Sequence, residues 1–340
     1  MNVWIDILHT PQFNFYFQFI KKLNQEGKHN IYVTVLNRGK LPTIAKKELK
    51  DFSCVQISVL GRHRMSKMSA IIEANLLRLP VVFFWTLFKK IDISFSNGCH
   101  NAIIGRILRF PSYTFEDDIQ TADYKLMSFF STQNHSLLGV QNNEIKLHRR
   151  DKFLPVLKEW AYLAPEYFMP DVSVLEEYAV KPKEYLFLRE VSVGTLNYTG
   201  QAYGAILNIK DLIPQDKKVL FSLEDKSKRN LYPSNWILLQ EPIKDIHSLI
   251  YYSAGLISSG DSMAREAALL GVPAYYLGIR YDMPANAAAH EVAGLQNTKT
   301  MTIENWLSFI YRKDERQLLS RDRITNCFID INGYLLSLIN

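Results

Sequence analysis

The chain has 340 residues, of which 47% are hydrophobic, with 15 glycines and 13 prolines; this composition gives a globular protein room for two cores and excludes a disordered chain. Its three cysteines, Cys54, Cys99 and Cys327, lack the paired spacing of a zinc site or a disulfide framework and indicate a reducing compartment. The net charge is +6, but no recognition motif or arginine-rich helix points to nucleic acid as the partner.

In the first half of the chain, apolar runs alternate with helical segments, as in a parallel sheet with crossover helices. The predicted elements are strands at Val3–Ile7, Asn30–Leu36, Val55–Val59, Ile91–Ser96 and Ser112–Phe115, and helices at Asn14–Glu26 and Asn101–Leu108. The first strand follows Met1 with no basic region or cleavage site, so we expect no secretion signal and a cytoplasmic protein.

Residues 76–88 form the most apolar run, which is too short to span a bilayer because that takes roughly 20 residues. Aromatic residues beside lysines, here within Val81–Phe88, are typical of a patch that binds an anionic membrane surface at the inner face of the membrane. A core helix leading into the next strand is the alternative. The basic residues that bracket the run are Arg62, Arg64, Lys67, Arg78, Lys89 and Lys90.

The second half begins after residues 160–183, where Pro165, Pro170 and Pro182 predict an interdomain linker. Two α/β halves that meet at a cleft are therefore the expected architecture. Amphipathic helices are predicted over 303–340. The predicted elements between them lie at Tyr185–Val191, Ala202–Leu212, Val219–Leu223, Trp236–Leu239 and His247–Tyr252.

The most informative stretch is 255–274, GLISSGDSMAREAALLGVPA. A short apolar strand breaks into Ser258-Ser259-Gly260, and a helix follows with Asp261 or Ser262 as its N-cap. Backbone N–H groups, a helix N-terminus and two hydroxyls then meet at one point, which predicts an anion site.

The helix after this turn carries Arg265 and Glu266, a charge pair on an otherwise apolar helix. Glu266 lies one turn in, where it can accept hydrogen bonds from a ribose. An ordinary buried strand–turn–helix is the alternative. The predicted nucleotide-sugar-binding residues of this stretch are Ser258, Ser259, Gly260, Asp261, Ser262, Met263, Arg265 and Glu266.

This stretch resembles the nucleotide-sugar-binding loop of GT-B-type glycosyltransferases and of the non-hydrolysing UDP-N-acetylglucosamine 2-epimerases. The chain is most similar to a prokaryotic family of that superfamily, with which it shares Trp4–Pro11, Asp245–Ser253 and Met263–Pro273. The resemblance implies an α/β chain with the GT-B fold, two Rossmann-like domains facing a central cleft. It implies an acceptor domain at 1–163, a nucleotide-sugar-binding domain at 184–320, and a C-terminal helix at 321–340 that packs back on the first domain.

Two polar segments follow strand ends of the first domain. His9, in the turn after the first strand, is a candidate general base because imidazole titrates near neutral pH, and a structural loop histidine is the alternative. Asp6, inside that strand, is expected to orient the loop. Glu116 and Asp117 belong to a carboxylate cluster whose crowding would leave one group suited to taking a proton, unless the segment is only an exposed acidic turn or a helix N-cap.

The resemblance to the epimerases adds one match and one departure here. In those enzymes a glutamate at the corresponding strand end acts in catalysis, and Glu116 is the matching position. They also carry an aspartate after the preceding strand, where this chain has Ser96-Asn97-Gly98.

Further donor-side candidates are spread over the second half. Arg189 closes a strand and would direct its guanidinium at a diphosphate, and a structural ion pair with Glu190 or Glu224 is the alternative. The hydroxyls of loop 194–200 would reach the sugar, and segment 283–290 would close over the donor. The stretch 240–247 resembles the one that frames the nucleobase in this superfamily, and His247 is interpreted as a packing or ribose-side residue.

These residues predict a glycosyltransferase that moves a sugar from a nucleotide-sugar donor to a surface-polysaccharide or lipid-linked acceptor, with His9, Glu116 and Asp117 in catalysis. No Asp-x-Asp pair indicates a metal, so we expect no metal and no cofactor. A nucleotide-sugar 2-epimerase and a nucleotide-sugar-binding protein without catalysis are the alternatives.

Overall fold

The computed structural model describes residues 1–64, 66–119, 121–140, 151–193, 200–240, 243, 245–310 and 316–339. The chain divides into two compact units. Unit 1 comprises Met1–Tyr162 and Phe328–Asn340, and unit 2 comprises Leu163–Cys327.

Unit 1 is built from strands β1 (Asn2–Ile7), β2 (Asn30–Asn37), β3 (Val55–Arg62), β4 (Ile93–Ser96), β5 (Ser112–Glu116), β6 (Gln133–Leu137) and β7 (Asp151–Leu154). They pair in parallel in the order β3-β2-β1-β4-β5-β6-β7. The helices are α1 (Thr10–Glu26), α2 (Leu41–Glu48), α3 (Lys67–Ile72), α4 (Leu79–Lys89), α5 (Cys99–Leu108), α6 (Ala122–Phe130), α7 (Trp160–Leu163), which ends at the first residue of unit 2, and, near the chain end, α13 (Ile331–Ser337).

The interior strand β1 has apolar side chains on both faces, as expected when helices cover both sides of a parallel sheet. Its Trp4, Ile5 and Ile7 side chains are fully buried. Helix α1 packs an aromatic stripe on this sheet, with the ring of Phe19 5.0 Å from that of Phe95 on β4. The core of unit 1 therefore lies under the middle of the sheet, beside the ends of β1 and β4.

One continuous helix connects β3 to β4, made of α3, a π-helical segment at Glu73–Arg78, and α4. Its buried side chains include Glu73, Arg78, Val82 and Thr86. Glu73 and Arg78 are five residues apart, and they share a face because the π-helix pairs residue i with residue i+5. The π segment thus keeps both charged residues on the side that faces the sheet.

Arg78 forms a buried ion pair with Asp6 of β1. Its two terminal nitrogens lie 2.5 and 3.2 Å from the two carboxylate oxygens, and both side chains are at most 2% exposed. Thr34 Oγ1 donates a further hydrogen bond to Asp6 at 2.6 Å. Two expectations are thereby corrected: Arg78 is not part of the basic rim of a membrane patch, and the carboxylate of Asp6 binds Arg78 instead of orienting the loop after β1.

The apolar helix is also longer than the run seen in the sequence. Met68–Lys89 spans 22 residues and is long and apolar enough to cross a membrane by length and composition, so the expectation that this region is too short was wrong. Only 22% of its most apolar window is buried, which corrects the alternative of an ordinary core helix.

Unit 2 contains a second parallel sheet of β8 (Tyr185–Glu190), β9 (Lys218–Leu223), β10 (Ile237–Leu238), β11 (Gly255–Ser258), β12 (Ala274–Tyr276) and β13 (Gln296–Asn297). The strands pair in the order β10-β9-β8-β11-β12-β13. Its α-helices are α8 (Ile246–Tyr251), α9 (Asp261–Leu269), α10 (Pro284–Ala293), α11 (Ile303–Ile310) and α12 (Arg316–Cys327).

Several boundaries differ from the sequence prediction. Helix α1 begins at Thr10 because Pro11 is compatible with a first helical turn. Segment 202–212 contributes only a 3₁₀ helix at Leu207–Leu212. The expected linker is folded within unit 2 from residue 163 onward, with a 3₁₀ helix at Val172–Tyr178 whose preceding Asp171 N–H donates to Ser248 Oγ.

The C-terminal segment 321–340 is divided between the units. Residues up to Cys327 belong to α12 and unit 2, whereas α13 returns to unit 1. There Tyr334 Oη lies 2.9 Å from His135 Nε2 of β6, and Asn332 donates to the carbonyl of Ala161. The chain therefore ends on the unit in which it begins.

Candidate functional site

In each sheet the strand order reverses once, between β1 and β4 in unit 1 and between β8 and β11 in unit 2. Open α/β sheets bind ligands beyond the carboxyl ends of the strands at such a reversal. His9 follows β1 and Ser96-Asn97-Gly98 ends β4, while Arg189 closes β8 and Ser258-Ser259-Gly260 ends β11. The sequence candidates thus lie at the two places where the topology favours a ligand.

His9 is the N-cap residue of α1 and lies in a positively charged environment. Burial, and then the charges of Lys158 and Arg38, lower the pKa of His9 to about 3, while Asp117 acts in the opposite direction. His9 is therefore neutral at pH 7 and has a lone pair for accepting a proton. The expectation that it titrates near neutral pH is corrected first by its burial and then by these two cations, which lie after β7 and β2.

Asp117 is nearly buried just after β5, and its Oδ2 atom lies 2.8 Å from Nζ of Lys158. Next to it, Glu116 Oε1 accepts hydrogen bonds from the backbone N–H groups of Asp117 and Asp118, at 2.9 and 3.2 Å. Burial, and then the neighbouring Asp117 charge, raise the pKa of Glu116 well above its ordinary value. Unit 1 thus combines a carboxyl with a raised pKa, a carboxylate paired with lysine, and a neutral imidazole.

The turn after β4 shapes this edge without adding an acid or base. Ser96 Oγ donates to the carbonyl of Asp6 and accepts from the N–H of Gly98, each at 3.0 Å. Gln12 of α1 donates to the carbonyl of Asn97. These contacts hold the turn against the start of α1, and a side chain on Gly98 would meet Leu8 at 2.7 Å.

In unit 2 the corresponding turn uses its own hydroxyls. Ser258 Oγ accepts from Gly260 N–H at 3.0 Å and donates to the Gly260 carbonyl. Ser259 Oγ accepts from the N–H of Val191 at 2.9 Å, and Ser259 N–H donates to the carbonyl of Arg189. Both serines are fully buried, so their hydroxyls shape the turn instead of facing a ligand as expected. Gly260, and not Asp261 or Ser262, is the N-cap residue of α9.

The first turn of α9 is surrounded by charged groups. Asp261 Oδ2 lies 3.2 Å from Arg280 and 3.7 Å from Arg265. Arg265 is 1% exposed and donates to Asn286 Oδ1 of α10 at 2.8 Å, which places it inside the unit and out of reach of a ligand. Ser262 and Met263 remain partly exposed at the helix start. Arg280 is a cation of this edge that the sequence reading missed.

Glu266 of α9 and His247 of α8 lie together; both were considered ribose-side residues, but their direct pairing was not predicted. Glu266 Oε1 is 3.5 Å from His247 Nε2, and Glu266 is 7% exposed. Burial lowers the pKa of His247, but the charge of Glu266 and its hydrogen bond raise it by more, so that the net shift is upward. The ring of Phe168 packs edge-on against His247. A carboxylate and an imidazole are thus held side by side one turn into α9.

Arg189 forms an ion pair with Glu224, one of the two partners considered as the alternative to diphosphate binding. Its Nη1 donates to Ser222 Oγ at 2.8 Å and its Nη2 to Glu224 Oε2 at 3.3 Å. Glu190 instead accepts from the backbone N–H of Ile206. Binding of diphosphate by Arg189 stays a prediction.

Some candidates lie outside the described residues, namely loop 194–199 and residues 241, 242 and 244. Segment 283–290 forms the start of α10, which Arg265 holds through Asn286. Across the residues that the structure describes, no group of three or more His, Cys, Asp or Glu side chains is arranged to hold a metal ion.

No protein-family model matches the chain, and no curated protein matches its sequence. Solved structures do match over its whole length. UDP-GlcNAc 2-epimerase from Methanocaldococcus jannaschii superposes with a TM-score of 0.65 at 14% identity, covering 100% of this chain and 99% of that one. The epimerase from Neisseria meningitidis bound to UDP-GlcNAc gives 0.64 at 14% identity with complete coverage of both chains. The spinosyn rhamnosyltransferase SpnG complexed with thymidine diphosphate gives 0.65 at 11% identity, again with complete coverage of both.

The chain has the GT-B fold. This confirms the predicted α/β class with two Rossmann-like units, and it confirms the resemblance to the glycosyltransferase and epimerase superfamily at the level of fold. The matched structures include both epimerases and a glycosyltransferase.

Proposed function

We propose that this GT-B protein is a glycosyltransferase that moves a sugar from a nucleotide-sugar donor to a surface-polysaccharide or lipid-linked acceptor. The observation that carries the proposal is the turn Ser96-Asn97-Gly98 at the reversal point of the first sheet. An epimerase must remove and return protons around the sugar ring and needs at least two placed acid/base groups. This turn supplies none at the position where the resembled epimerases carry an aspartate, and that departure, not the number of acid/base groups in unit 1, favours a transferase, which needs a single base.

Unit 1 supplies that base in the proposal. In the proposal His9, which is neutral, or Asp117, which pairs with Lys158, takes the proton of an acceptor hydroxyl as it attacks the anomeric carbon. The low pKa of His9 makes it a weaker base than an ordinary imidazole. Glu116 keeps its proton to higher pH than an ordinary glutamate and is suited to donate a hydrogen bond.

Unit 2 takes the nucleotide sugar in the proposal. The positive end of the α9 dipole and the nearby Arg280 and Arg189, which pair with Asp261 and Glu224 in this structure, would stabilise the departing diphosphate without a metal ion. Glu266, held by His247, would accept hydrogen bonds from the ribose. The matched structures support this donor class, because one of them is bound to UDP-GlcNAc and another to thymidine diphosphate.

The epimerase is the second candidate, and one observation favours it. By the sequence resemblance Glu116 matches the position of the epimerases' catalytic glutamate, and its raised pKa suits it to donate a proton. A protein that binds nucleotide sugars without catalysis is the third.

Two measurements separate these functions. A panel of nucleotides and nucleotide sugars should raise the melting temperature, since a ligand at about 100 times its Kd adds roughly 2.7 kcal/mol to the free energy of unfolding. In deuterated water without acceptor, the nucleotide sugar that binds should gain no deuterium at C2; deuterium there would establish the epimerase. With an acceptor present, the protein should release nucleoside diphosphate both with and without EDTA. If it binds a nucleotide sugar but releases no nucleoside diphosphate with any acceptor, the third candidate, a binding protein without catalysis, is the one supported.

A further inference from the structure

The helix Met68–Lys89 carries an apolar surface that unit 1 does not cover. Between Met68 and Phe88, all described, no exposed residue is charged. Asn75, the one exposed residue with a polar side chain in this span, donates to the Ile71 carbonyl of its own helix. The exposed large side chains, here named the apolar stripe, are Met68, Ile71, Ile72, Leu76, Leu77, Val81, Phe84, Leu87 and Phe88.

The helix cannot rotate to hide the apolar stripe, because its other face is anchored to the sheet. Arg78 is bound to Asp6 of β1 and also donates to the Leu60 carbonyl of β3 at 3.0 Å. Glu73 accepts from the backbone N–H of Arg62 at 2.8 Å. The same contacts exclude a transmembrane helix, since a spanning helix would expose Glu73 and Arg78 to lipid. The apolar stripe is therefore held at the surface with its long axis along it.

Basic groups flank the apolar stripe beside its amino-terminal half and at its carboxyl end. Beside the amino-terminal half, a polar cavity of ≈ 440 Å³ is lined by Arg62, Arg64, Glu73 and Leu77; Glu73 pairs with Arg64, which leaves the charge of Arg62 in excess. At the carboxyl end the helix runs into Lys89 and Lys90. Two copies of this chain packed through their stripes would bring basic groups together in either direction, parallel or antiparallel. The charge arrangement instead complements an anionic surface.

From this we infer that the apolar stripe is a docking surface for an anionic lipid bilayer, with the helix parallel to the membrane plane. The apolar side chains enter the boundary between headgroups and acyl chains, and the flanking basic groups contact lipid phosphates. The surface lies within unit 1 and does not depend on the sugar chemistry proposed above. It extends the patch expected at Val81–Phe88 over nearly the whole helix.

The test is flotation of the full chain with vesicles of phosphatidylcholine alone and with added phosphatidylglycerol. The wild type should bind the anionic vesicles and be released as NaCl rises, since surface electrostatics are screened. Phe84→Glu and Phe88→Glu should each lower the partition coefficient at least about tenfold, the effect of no longer burying one phenylalanine. Phe129→Glu is the matched control, because Phe129 lies in unit 1 off the helix and is 62% exposed.

Arg62→Gln combined with Lys90→Gln should reduce binding to anionic vesicles while leaving the weak binding to neutral ones unchanged. Circular dichroism and thermal unfolding check that each variant remains folded. The inference is overturned if the wild type binds no vesicle, or if Phe129→Glu lowers binding as much as Phe88→Glu. It is equally overturned if the wild type is a dimer without vesicle affinity and Phe88→Glu makes it a monomer, because the stripe would then bind a second copy.

Discussion

Lys158 Nζ lies 2.8 Å from Asp117 Oδ2, and the same ammonium group contributes to lowering the pKa of His9 to about 3. Lys158→Met should therefore raise the pKa of His9, because a positive charge next to the imidazole disfavours its protonation. NMR titration of the His9 ring measures this. Lys152→Met is the matched control: Lys152 acts on His135, so this variant should leave His9 unchanged. An unchanged pKa of His9 in Lys158→Met would contradict the proposed interaction between Lys158 and His9.

Loss of the proposed base should reduce turnover. His9→Ala and Asp117→Asn are each expected to lower nucleoside diphosphate release about 10²–10⁴-fold, the usual contribution of general-base catalysis. Asp118→Asn, one residue away, should have little effect. Because a pKa near 3 keeps His9 neutral above about pH 4, the wild-type rate should not fall between pH 7 and pH 5 through this group. A decline with a midpoint near pH 6.5 would show an ordinary histidine.

The donor site is tested by calorimetry with UDP. Glu266→Gln and Arg189→Ala should each weaken binding by about 1.5–3 kcal/mol, the scale of a hydrogen bond to a charged group. Glu224→Gln separates two roles of Arg189, because it removes the ion-pair partner. If Arg189 binds diphosphate, this variant should bind UDP at least as tightly as the wild type. Unchanged affinity in both Glu266→Gln and Arg189→Ala would move the donor site elsewhere.

The Asp6–Arg78 pair should matter for stability. Arg78→Met leaves a buried carboxylate without its partner and should lower the free energy of unfolding by about 3–5 kcal/mol, measured in urea. The double variant Asp6→Leu with Arg78→Met should recover a large part of that loss, because it removes both charges. If the double variant were as unstable as the sum of its singles, packing and not charge would explain the effect.

Acid should destabilise the chain through buried histidines. Burial lowers the pKa of His135 to about 4, so the folded state stays neutral while the unfolded chain takes up a proton below about pH 6.5. The stability that His135 contributes is therefore complete above pH 6.5 and is lost as pH falls towards 4, by up to about 3 kcal/mol. His135→Gln should flatten the dependence of unfolding free energy on pH in this range. If the unfolding free energy of the wild type and of His135→Gln changed equally with pH, the contribution assigned to His135 would be contradicted.

Much of the architecture was predictable because periodic apolar runs encode buried parallel strands. The strands around Val3–Ile7 and Tyr185–Glu190, and the turn at Ser258–Gly260, were recognised from local pattern alone. Strands β6 and β7 were missed, since Gln133–Leu137 is largely polar and its burial comes from tertiary packing. Because β7 was not predicted, Lys158, which follows β7 and pairs with Asp117, was not recognised as part of the site.

The sequence predicted which residues lie near the site better than it predicted what each of them binds. Sequence spacing places Ser258 and Ser259 beside a helix start, but only the packed structure shows that Val191 N–H and Gly260 N–H occupy their hydroxyls. In the same way, a charge at position 265 is visible in the sequence, whereas its partner Asn286 lies in another helix. Long-range pairing decides these roles, and it leaves no local signal.

The return of α13 to unit 1 means that unit 2 is, in the chain, an insertion. The two crossing points are held close by unit 1 itself: the Trp160 and Phe328 rings are 5.9 Å apart, and Ile329 N–H donates to the Pro155 carbonyl at 3.3 Å. A short glycine-rich linker in place of residues 163–327 would therefore bridge the gap at a small entropic cost. Excision at these points would yield each unit as a separate polypeptide, on which the proposed acceptor and donor binding could be tested one at a time.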